Sequence, residues 1–174
     1  MNNQQLAEQK EFWDRLRQKN IVVATSGGFD PIHVGHVRSL KNMKTAVTID
    51  YLETKGHAPR DNIVTVVIVN GTNFLIQKKG YEFMPLTERM EIVKSIKNVD
   101  MVTSWDQVGL DSSVSGALEI IRPHFFAKGG DRTQESGIAE QDICDSIGCK
   151  ILYNVGGGKI QSSSELVNNA SQWF

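Results

Sequence analysis

The sequence has few cysteines and almost no net charge. Only Cys144 and Cys149 occur among 174 residues, and the formal net charge is −1. Such a low cysteine content argues against a disulfide framework and predicts reduced thiols in a cytoplasmic protein. A near-neutral charge balance gives no electrostatic reason to expect nucleic acid or an anionic membrane as a partner.

Long apolar segments are also missing. No uninterrupted apolar run is long enough to cross a bilayer, and the polar residues 1–5 lack the apolar core of a secretory signal. The length fits one domain with a sizeable core. We therefore expect a single domain over residues 1–174, with an N-terminal helix within residues 1–20 packed on its edge.

The sequence does contain short apolar runs that alternate with helical patterns. The runs predict strands at 21–24, 63–69, 101–105, 125–128 and 151–155, and the patterns predict helices beginning near 35, 85, 114, 138 and 163. This order predicts a Rossmann-like three-layer α/β/α domain around a parallel five-stranded sheet. In such sheets ligands bind at the carboxyl ends of the strands.

The most informative segment follows the first strand. From Gly27 to His36 the chain reads Gly-Gly-Phe-Asp-Pro-Ile-His-Val-Gly-His. Glycine allows the backbone to approach an anion closely, and the start of a helix offers unpaired N–H groups. The segment is therefore interpreted as a phosphate cradle, with His33 and His36 at its solvent side.

Two later segments also follow predicted strands. Lys128-Gly129-Gly130-Asp131 ends the fourth strand, and Ser162-Ser163-Ser164 precedes the last helix. Serine is a good helix N-cap, and its hydroxyl adds a donor beside the helix N–H groups. A Walker phosphate loop at residues 156–159 is excluded, because Ile160 stands where that motif needs Ser or Thr.

These three segments, in this order, resemble the motifs of the HxGH nucleotidyltransferase superfamily, and of its cytidylyltransferase-like branch in particular. The resemblance covers roughly residues 20–173. It is nearest to the nucleotidyltransferase domain of the bifunctional heptose-phosphate enzymes and to the glycerol-phosphate cytidylyltransferases. It implies transfer of a nucleoside monophosphate from ATP or CTP to a phosphorylated sugar or polyol. Pyrophosphate would be released, and Mg²⁺ would accompany the nucleoside triphosphate.

The resemblance also implies roles for individual residues. His33 and His36 would stabilise the charge that develops on the attacked α-phosphate, and Arg89 would complete the catalytic set as a phosphate ligand. Asp30, Lys78 and Arg89 would contact the acceptor, although Asp30 fits a turn-capping role equally well, and Lys79 is interpreted as a solvated charge. The residues expected to bind the nucleotide are Gly27, Gly28, Phe29, His33, Gly35, His36, Lys128, Gly130, Asp131, Ser162, Ser163 and Ser164.

Two other functions fit parts of the pattern. The segment that begins at Gly27 also resembles the pantetheine- and nicotinate-type adenylyltransferases, and a catalytically silent nucleotide-binding regulator would use the same cradle. The base, the acceptor, the direct metal ligands and the formation of a homo-oligomer stay open. Residues 45–62 make a longer connection than in the heptose-type domains. We expect the first helix to extend into it, and the loop at 56–62 to serve acceptor choice or a subunit contact, or to be a passive insertion.

Overall fold

A computed structural model of the chain describes residues 2–106, 113–130 and 132–173. Strands and helices alternate through these ranges. The strands are β1 (Asn20–Gly27), β2 (Asn62–Asn70), β3 (Met101–Trp105), β4 (Phe125–Ala127) and β5 (Lys150–Leu152). The helices are α1 (Asn3–Lys19), α2 (Val34–Lys55), α3 (Thr72–Lys79), α4 (Leu86–Lys94), α5 (Ser115–Ile121), α6 (Gln141–Ile147) and α7 (Ser163–Ser171).

The five strands form one parallel sheet in the order β3-β2-β1-β4-β5. The chain runs outward from β1 to β3 and then returns to β4 on the other side of β1. The connections that follow β1 and β4 therefore diverge and leave a crevice at the carboxyl ends of these strands. The predicted parallel five-stranded sheet is confirmed.

Helices cover both faces of the sheet. Since successive residues of a strand point to opposite faces, alternate residues of β1 belong to two different cores. On one face, Val22 and Ala24 of β1 pack in a core with residues of α1, α5 and α6; on the other, Ile21 and Val23 pack with residues of α2 and α4. These central strand residues are 0–4% exposed. Burial on both faces explains the continuous apolar runs of β1 and β2, and it confirms the three-layer prediction.

Several boundaries differ from those predicted. The strands β4 and β5 are shorter than the apolar runs suggested, and β5 stops at Leu152 rather than Val155. Helix α3 was not predicted, since it has only eight residues and begins and ends at glycines, Gly71 and Gly80. The end of α6 at Gly148 is confirmed, and Cys144 and Cys149, which flank that helix end, are both free and buried.

The long connection after the first histidines is mostly helix. Helix α2 runs for 22 residues to Lys55 and ends at Gly56, whose φ of 75° is the left-handed conformation that favours glycine. The loop at 56–62 lies at the amino end of β2, about 26 Å along that strand from its carboxyl end. The loop is not part of the cleft lining, and its role stays a prediction, whereas the predicted helix extension is confirmed. Over the described ranges, no helix combines the length and the apolar character needed to span a bilayer.

Candidate active site

A large cleft lies at the carboxyl ends of the strands. Its volume is about 1030 Å³, which is at the upper end of the range for small-molecule sites. All three sequence motifs contribute to its lining, as do β2 and α3. Residues at the cleft include Gly27, Gly28, Phe29, His33, Gly35, His36, Lys78, Lys79, Lys128, Gly130, Ser162, Ser163 and Ser164. The tertiary structure thus brings together residues that are more than a hundred positions apart in the chain.

The glycines of the first motif are required by close packing. A Cβ added to Gly27 would lie 2.9 Å from the ring of Phe29, and one added to Gly28 would lie 2.9 Å from the side chain of Leu75. A Cβ on Gly35 would approach the ring of His33 to 3.0 Å. Phe29 is itself buried and has a φ of 52°. The cradle predicted from the sequence is therefore a tightly packed turn with little room for other side chains.

His33 and His36 hold each other at the start of α2. His33 is the N-cap, and its Nδ1 accepts a hydrogen bond from the Gly35 N–H at 3.1 Å. The Nδ1 of His36 accepts a hydrogen bond from the backbone N–H of His33 at 3.3 Å. The two rings stack with their centroids 3.8 Å apart, and Phe29 contacts His36 edge-to-face at 5.0 Å. Because each Nδ1 accepts a hydrogen bond, it carries no proton, and each neutral ring has its proton on Nε2.

The surroundings keep both imidazoles neutral. Burial, together with the electrostatic influence of His33 and Lys79, lowers the pKa of His36 to about 3. Burial also lowers the pKa of His33, and Lys79 acts in the same direction. At neutral pH both residues therefore offer a neutral Nε2–H donor rather than an imidazolium.

Asp30 does not face the cleft. It has no exposed surface, and its Oδ1 and Oδ2 accept hydrogen bonds from the backbone N–H groups of Met84 at 2.7 Å and Phe83 at 2.8 Å. A buried carboxylate with both oxygens occupied has no position from which to contact an acceptor or a metal-bound water. The predicted acceptor contact is wrong. Asp30 instead has the alternative capping role, but the N–H groups that it caps belong to the segment before α4 and not to its own turn.

Arg89 is buried as well, which corrects its predicted roles in phosphate binding and catalysis. The residue is 0% exposed. Its Nε donates to the Met84 carbonyl at 2.9 Å, and its Nη1 donates to the carbonyls of Gly28 at 2.9 Å and Asn70 at 2.6 Å. Its Nη2 pairs with Glu82 Oε1 at 2.6 Å. The guanidinium thus cross-links the ends of β1 and β2 to the 82–84 segment instead of meeting a phosphate.

Lys79 lies nearer to the histidines than its interpretation as a solvated charge suggested. Its Nζ donates to the backbone carbonyl of Asp30 at 2.8 Å, and its charge lowers the pKa of both histidines. Burial lowers the pKa of Lys79 itself. Lys78 is exposed at the same side of the cleft, with its Nζ 5.3 Å from the centre of the Phe74 ring. The predicted acceptor side therefore has two ammonium groups.

Lys128 and Gly130 lie in the cleft wall on the β4 side. The Lys128 ammonium lies 3.1 Å from Glu140 Oε2 and 4.5 Å from the centre of the Phe126 ring. Burial lowers the pKa of Lys128, while Glu140 raises it. Gly130 has a φ of 70°, which a side chain would strain. Asp131, the last residue of this predicted motif, lies outside the described residues.

The serine motif, residues 162–164, forms a further part of the cleft wall. Ser162 is the N-cap of α7, as predicted, and its Oγ accepts a hydrogen bond from the Glu165 N–H at 3.1 Å. Ser163 Oγ donates to the Pro31 carbonyl at 2.8 Å. The start of α7 is therefore hydrogen-bonded to the turn that carries the histidines, and its first residues line the same cleft.

The cleft favours anionic ligands. Among the described lining residues, the lysines and arginines are Lys78, Lys79, Lys128, Arg132 and Lys159. The acidic residue in the described part of the lining is Glu140, which pairs with Lys128. Within residues 2–106, 113–130 and 132–173, no group of three or more His, Cys, Asp and Glu side chains is placed to hold a metal ion.

Three contributors were missed in the sequence. Glu82 and Glu140 act as partners of buried cations, and Lys79 as a neighbour of the histidines. None of these pairings has a sequence signal, because each joins residues of different elements. The nearest sequence signal for the Glu82–Arg89 pair was Pro85, the N-cap of α4, because it predicted that Glu82 lies in a loop just before the helix that carries Arg89.

The chain matches a known family over most of its length. The cytidylyltransferase-like family model matches residues 24–152 of the chain. This chain belongs to the cytidylyltransferase-like family. The matched range contains His33, His36 and Gly130 and ends before the serine motif.

Individual relatives agree with this assignment. The bifunctional protein HldE of Methylococcus capsulatus is 30% identical over 152 residues, which are 85% of this chain and 28% of that protein. The HldE of Alcanivorax borkumensis is 30% identical over 132 residues, which are 75% of this chain and 24% of that protein. The chain thus spans about a quarter of the length of these relatives. The predicted resemblance to the heptose-phosphate enzymes and the predicted enzyme class, nucleotidyltransferase, are confirmed.

A solved structure supports the fold. The lipopolysaccharide core biosynthesis protein from Thermoplasma volcanium GSS1 superposes with a TM-score of 0.57 and is 19% identical in sequence. The alignment covers 81% of this chain and 98% of that chain. At this identity the likeness concerns the architecture alone.

Proposed function

We propose that the chain transfers a nucleoside monophosphate from a nucleoside triphosphate to a phosphorylated sugar or polyol, with release of pyrophosphate. The observation that carries the proposal is the neutral pair His33 and His36. Their Nδ1 atoms are held by backbone N–H groups, and their rings line a cleft rich in lysine. Fixed neutral donors beside a phosphate cradle suit a reaction in which charge develops on phosphorus-bound oxygen.

The chemistry needs no protein nucleophile. An acceptor phosphate oxygen attacks the α-phosphorus in line and forms a new P–O bond. The bond from the α-phosphorus to the oxygen that bridges to the β-phosphate breaks, and pyrophosphate leaves with the electron pair. The enzyme contributes position and charge stabilisation, and the Nε2–H groups of His33 and His36 supply the donors for the transition state.

Different parts of the cleft would bind different parts of the substrates. The start of α7, with Ser162 at its N-cap, would receive the β- and γ-phosphates. Gly130 would line the nucleoside, while Lys78 and Lys79 would meet the acceptor phosphate. Mg²⁺ would enter with the triphosphate as part of the substrate and would neutralise phosphate charge.

The resemblance of the three motifs to those of the heptose-phosphate enzymes supports a sugar-phosphate acceptor, and the bifunctional HldE relatives match the part of the chain that contains the histidines. The adenylyltransferases of the pantetheine and nicotinate types share the first motif and are therefore the alternative that an experiment must separate.

A pyrophosphate-release assay tests the proposal. Each of the four nucleoside triphosphates is combined with sugar phosphates, polyol phosphates, phosphopantetheine and nicotinate mononucleotide, and products are identified by mass spectrometry. We expect release that depends on a sugar or polyol phosphate and that falls by about 10²- to 10³-fold in His36→Ala. Release should persist in His57→Ala, because His57 is exposed in the loop at 56–62.

Two outcomes would contradict the proposal. Release only with phosphopantetheine or nicotinate mononucleotide would assign the chain to the adenylyltransferase alternative. Nucleotide binding without release, across the whole acceptor panel, would support a silent regulator.

A further inference from the structure

Glu82 connects two elements of the cleft through a single oxygen atom. Its Oε1 accepts a hydrogen bond from the Thr72 hydroxyl at 2.8 Å and lies 2.6 Å from Arg89 Nη2. Thr72 is the first residue of α3, and Arg89 lies in α4. The Glu82 side chain is 20% exposed, whereas that of Arg89 is 0% exposed. The carboxylate is thus the charged partner of a fully buried guanidinium, a cation that is costly to leave unpaired.

The residues next to Glu82 are fastened to the catalytic turn. The backbone N–H groups of Phe83 and Met84 donate to the carboxylate of Asp30 at 2.8 and 2.7 Å. Arg89 bridges the same two segments, because it donates to the carbonyls of both Met84 and Gly28. The 82–84 segment and the Gly28–Asp30 turn are therefore joined directly by the two hydrogen bonds to Asp30, and indirectly through Arg89, which donates to both.

Lys79 completes the network from α3. Its Nζ donates to the carbonyl of Asp30 at 2.8 Å, and α3 begins at Thr72, which Glu82 holds. The position of the Lys79 ammonium relative to His33 and His36 is accordingly set by contacts that converge on Glu82 and Asp30. In transfer reactions a displacement of about 1 Å at the reacting groups costs up to about 100-fold in rate.

We propose that Glu82 is a positioning residue for the transfer reaction. It orients Arg89 and the start of α3, and through them it fixes the turn that leads to His33 and His36 against Lys79. The inference rests on the proposed function and adds to it a residue outside the three motifs.

Two substitutions separate positioning from mere stabilisation. Glu82→Gln keeps an Oε1 atom, so both hydrogen bonds persist, but it leaves the buried Arg89 charge unpaired and lowers stability. Glu82→Ala removes the acceptor and the charge together. Glu88→Ala is the matched control, since Glu88 is an exposed glutamate in the first turn of α4.

Turnover is measured per nucleotide-binding site, which is counted by calorimetric titration with the triphosphate. We expect Glu82→Ala to lower kcat by about 10- to 100-fold with a change in the triphosphate KM of less than about threefold. Glu82→Gln should retain kcat within about threefold of the wild type despite a lower Tm. A purely stabilising role predicts wild-type kcat per site in both variants, and this result would overturn the proposal.

A second measurement does not depend on activity. Amide hydrogen exchange in residues 27–36 should be faster in Glu82→Ala than in the wild type and in Glu82→Gln, and unchanged exchange in Glu82→Ala would refute the coupling. If the wild type releases no pyrophosphate while this exchange pattern holds, the proposed function fails and the coupling stands. Should Glu82→Ala not fold, Thr72→Val removes one of the two bonds. We then expect a loss of kcat of about three- to tenfold, and an unchanged kcat would count against Glu82.

Discussion

Ser163 donates a hydrogen bond to the carbonyl oxygen of Pro31 at 2.8 Å, across 132 positions of the chain. This contact joins the first turn of α7 to the turn between β1 and α2. The last motif and the first motif are therefore parts of one structure.

The serines at this helix start should discriminate between triphosphate and monophosphate. We expect Ser162→Ala and Ser163→Ala each to weaken binding of the triphosphate more than that of the monophosphate, because the start of α7 would meet the β- and γ-phosphates. Ser162→Ala should also cost about 1 kcal/mol of stability through its lost cap. Calorimetric titration with both ligands decides the matter, and Ser171→Ala, at the other end of α7, is the control. Equal losses for the two ligands would leave Ser162 with a capping role alone.

His36 should matter for turnover far more than for affinity. Removing a donor to the transition state by His36→Ala should lower kcat by about 10²- to 10³-fold, or about 3–4 kcal/mol, with a smaller change in nucleotide affinity. Steady-state kinetics on the folded variant, with His57→Ala alongside, provide the measurement. Near-wild-type turnover in His36→Ala would remove the residue from the mechanism.

The histidines should make the fold sensitive to mild acid. Burial lowers the pKa of His36 from 6.5 to about 3, and it also lowers the pKa of His33 and of His124. Below about pH 6.5 the unfolded chain binds protons that the folded chain does not, so stability is full above that pH and falls as pH decreases toward 3.

Urea unfolding between pH 8 and pH 5 measures this dependence. In the His36→Gln variant the slope of the free energy of unfolding against pH should be smaller than in the wild type, by at most about 1.4 kcal/mol per pH unit. The same substitution at the exposed His57 is the comparison. A wild-type stability that is constant from pH 7 to pH 5 would contradict the neutral, buried state of His36.

The ion pair between Lys128 and Glu140 should follow the rule for buried charges. The side chains are 16% and 8% exposed, with 3.1 Å between Nζ and Oε2. Lys128→Met leaves a buried carboxylate unpaired and should cost about 3–5 kcal/mol of the free energy of unfolding. The double variant Lys128→Met, Glu140→Leu should recover most of that loss, and chemical denaturation of all four proteins of the cycle checks it. Additive losses would mean that the two charges do not interact.

Much of the fold and of the cleft could be predicted from the sequence. The apolar runs of β1 and β2 identified buried parallel strands because both faces of these strands are covered. Since each motif follows a strand of one parallel sheet, all three had to meet at the same edge. Helix α3 escaped prediction, because eight residues between two glycines show too little periodicity to identify a helix.

Asp30 and Arg89 show where prediction from local pattern ends. A carboxylate in a turn and an arginine on a helix are compatible with ligand contact, and their residue types suit phosphate chemistry. The structure instead directs both side chains inward, where the amides of Phe83 and Met84 and the carbonyls of Gly28 and Asn70 bind them. A buried charge persists only with such partners, and these partners come from segments distant in the chain.

The sequence by itself determined the order of strands and helices, the edge of the sheet at which the three motifs meet, and the positions of the glycines and histidines of the first motif. These follow from local rules, since periodicity, helix capping and glycine content depend on neighbouring residues. Only the tertiary structure decided which charged groups face the cleft and which support it from behind. Lys79 lines the cleft, while Asp30 and Arg89 are buried behind the turn that carries the histidines, because long-range packing sets the desolvation and the hydrogen-bond partners of each charge.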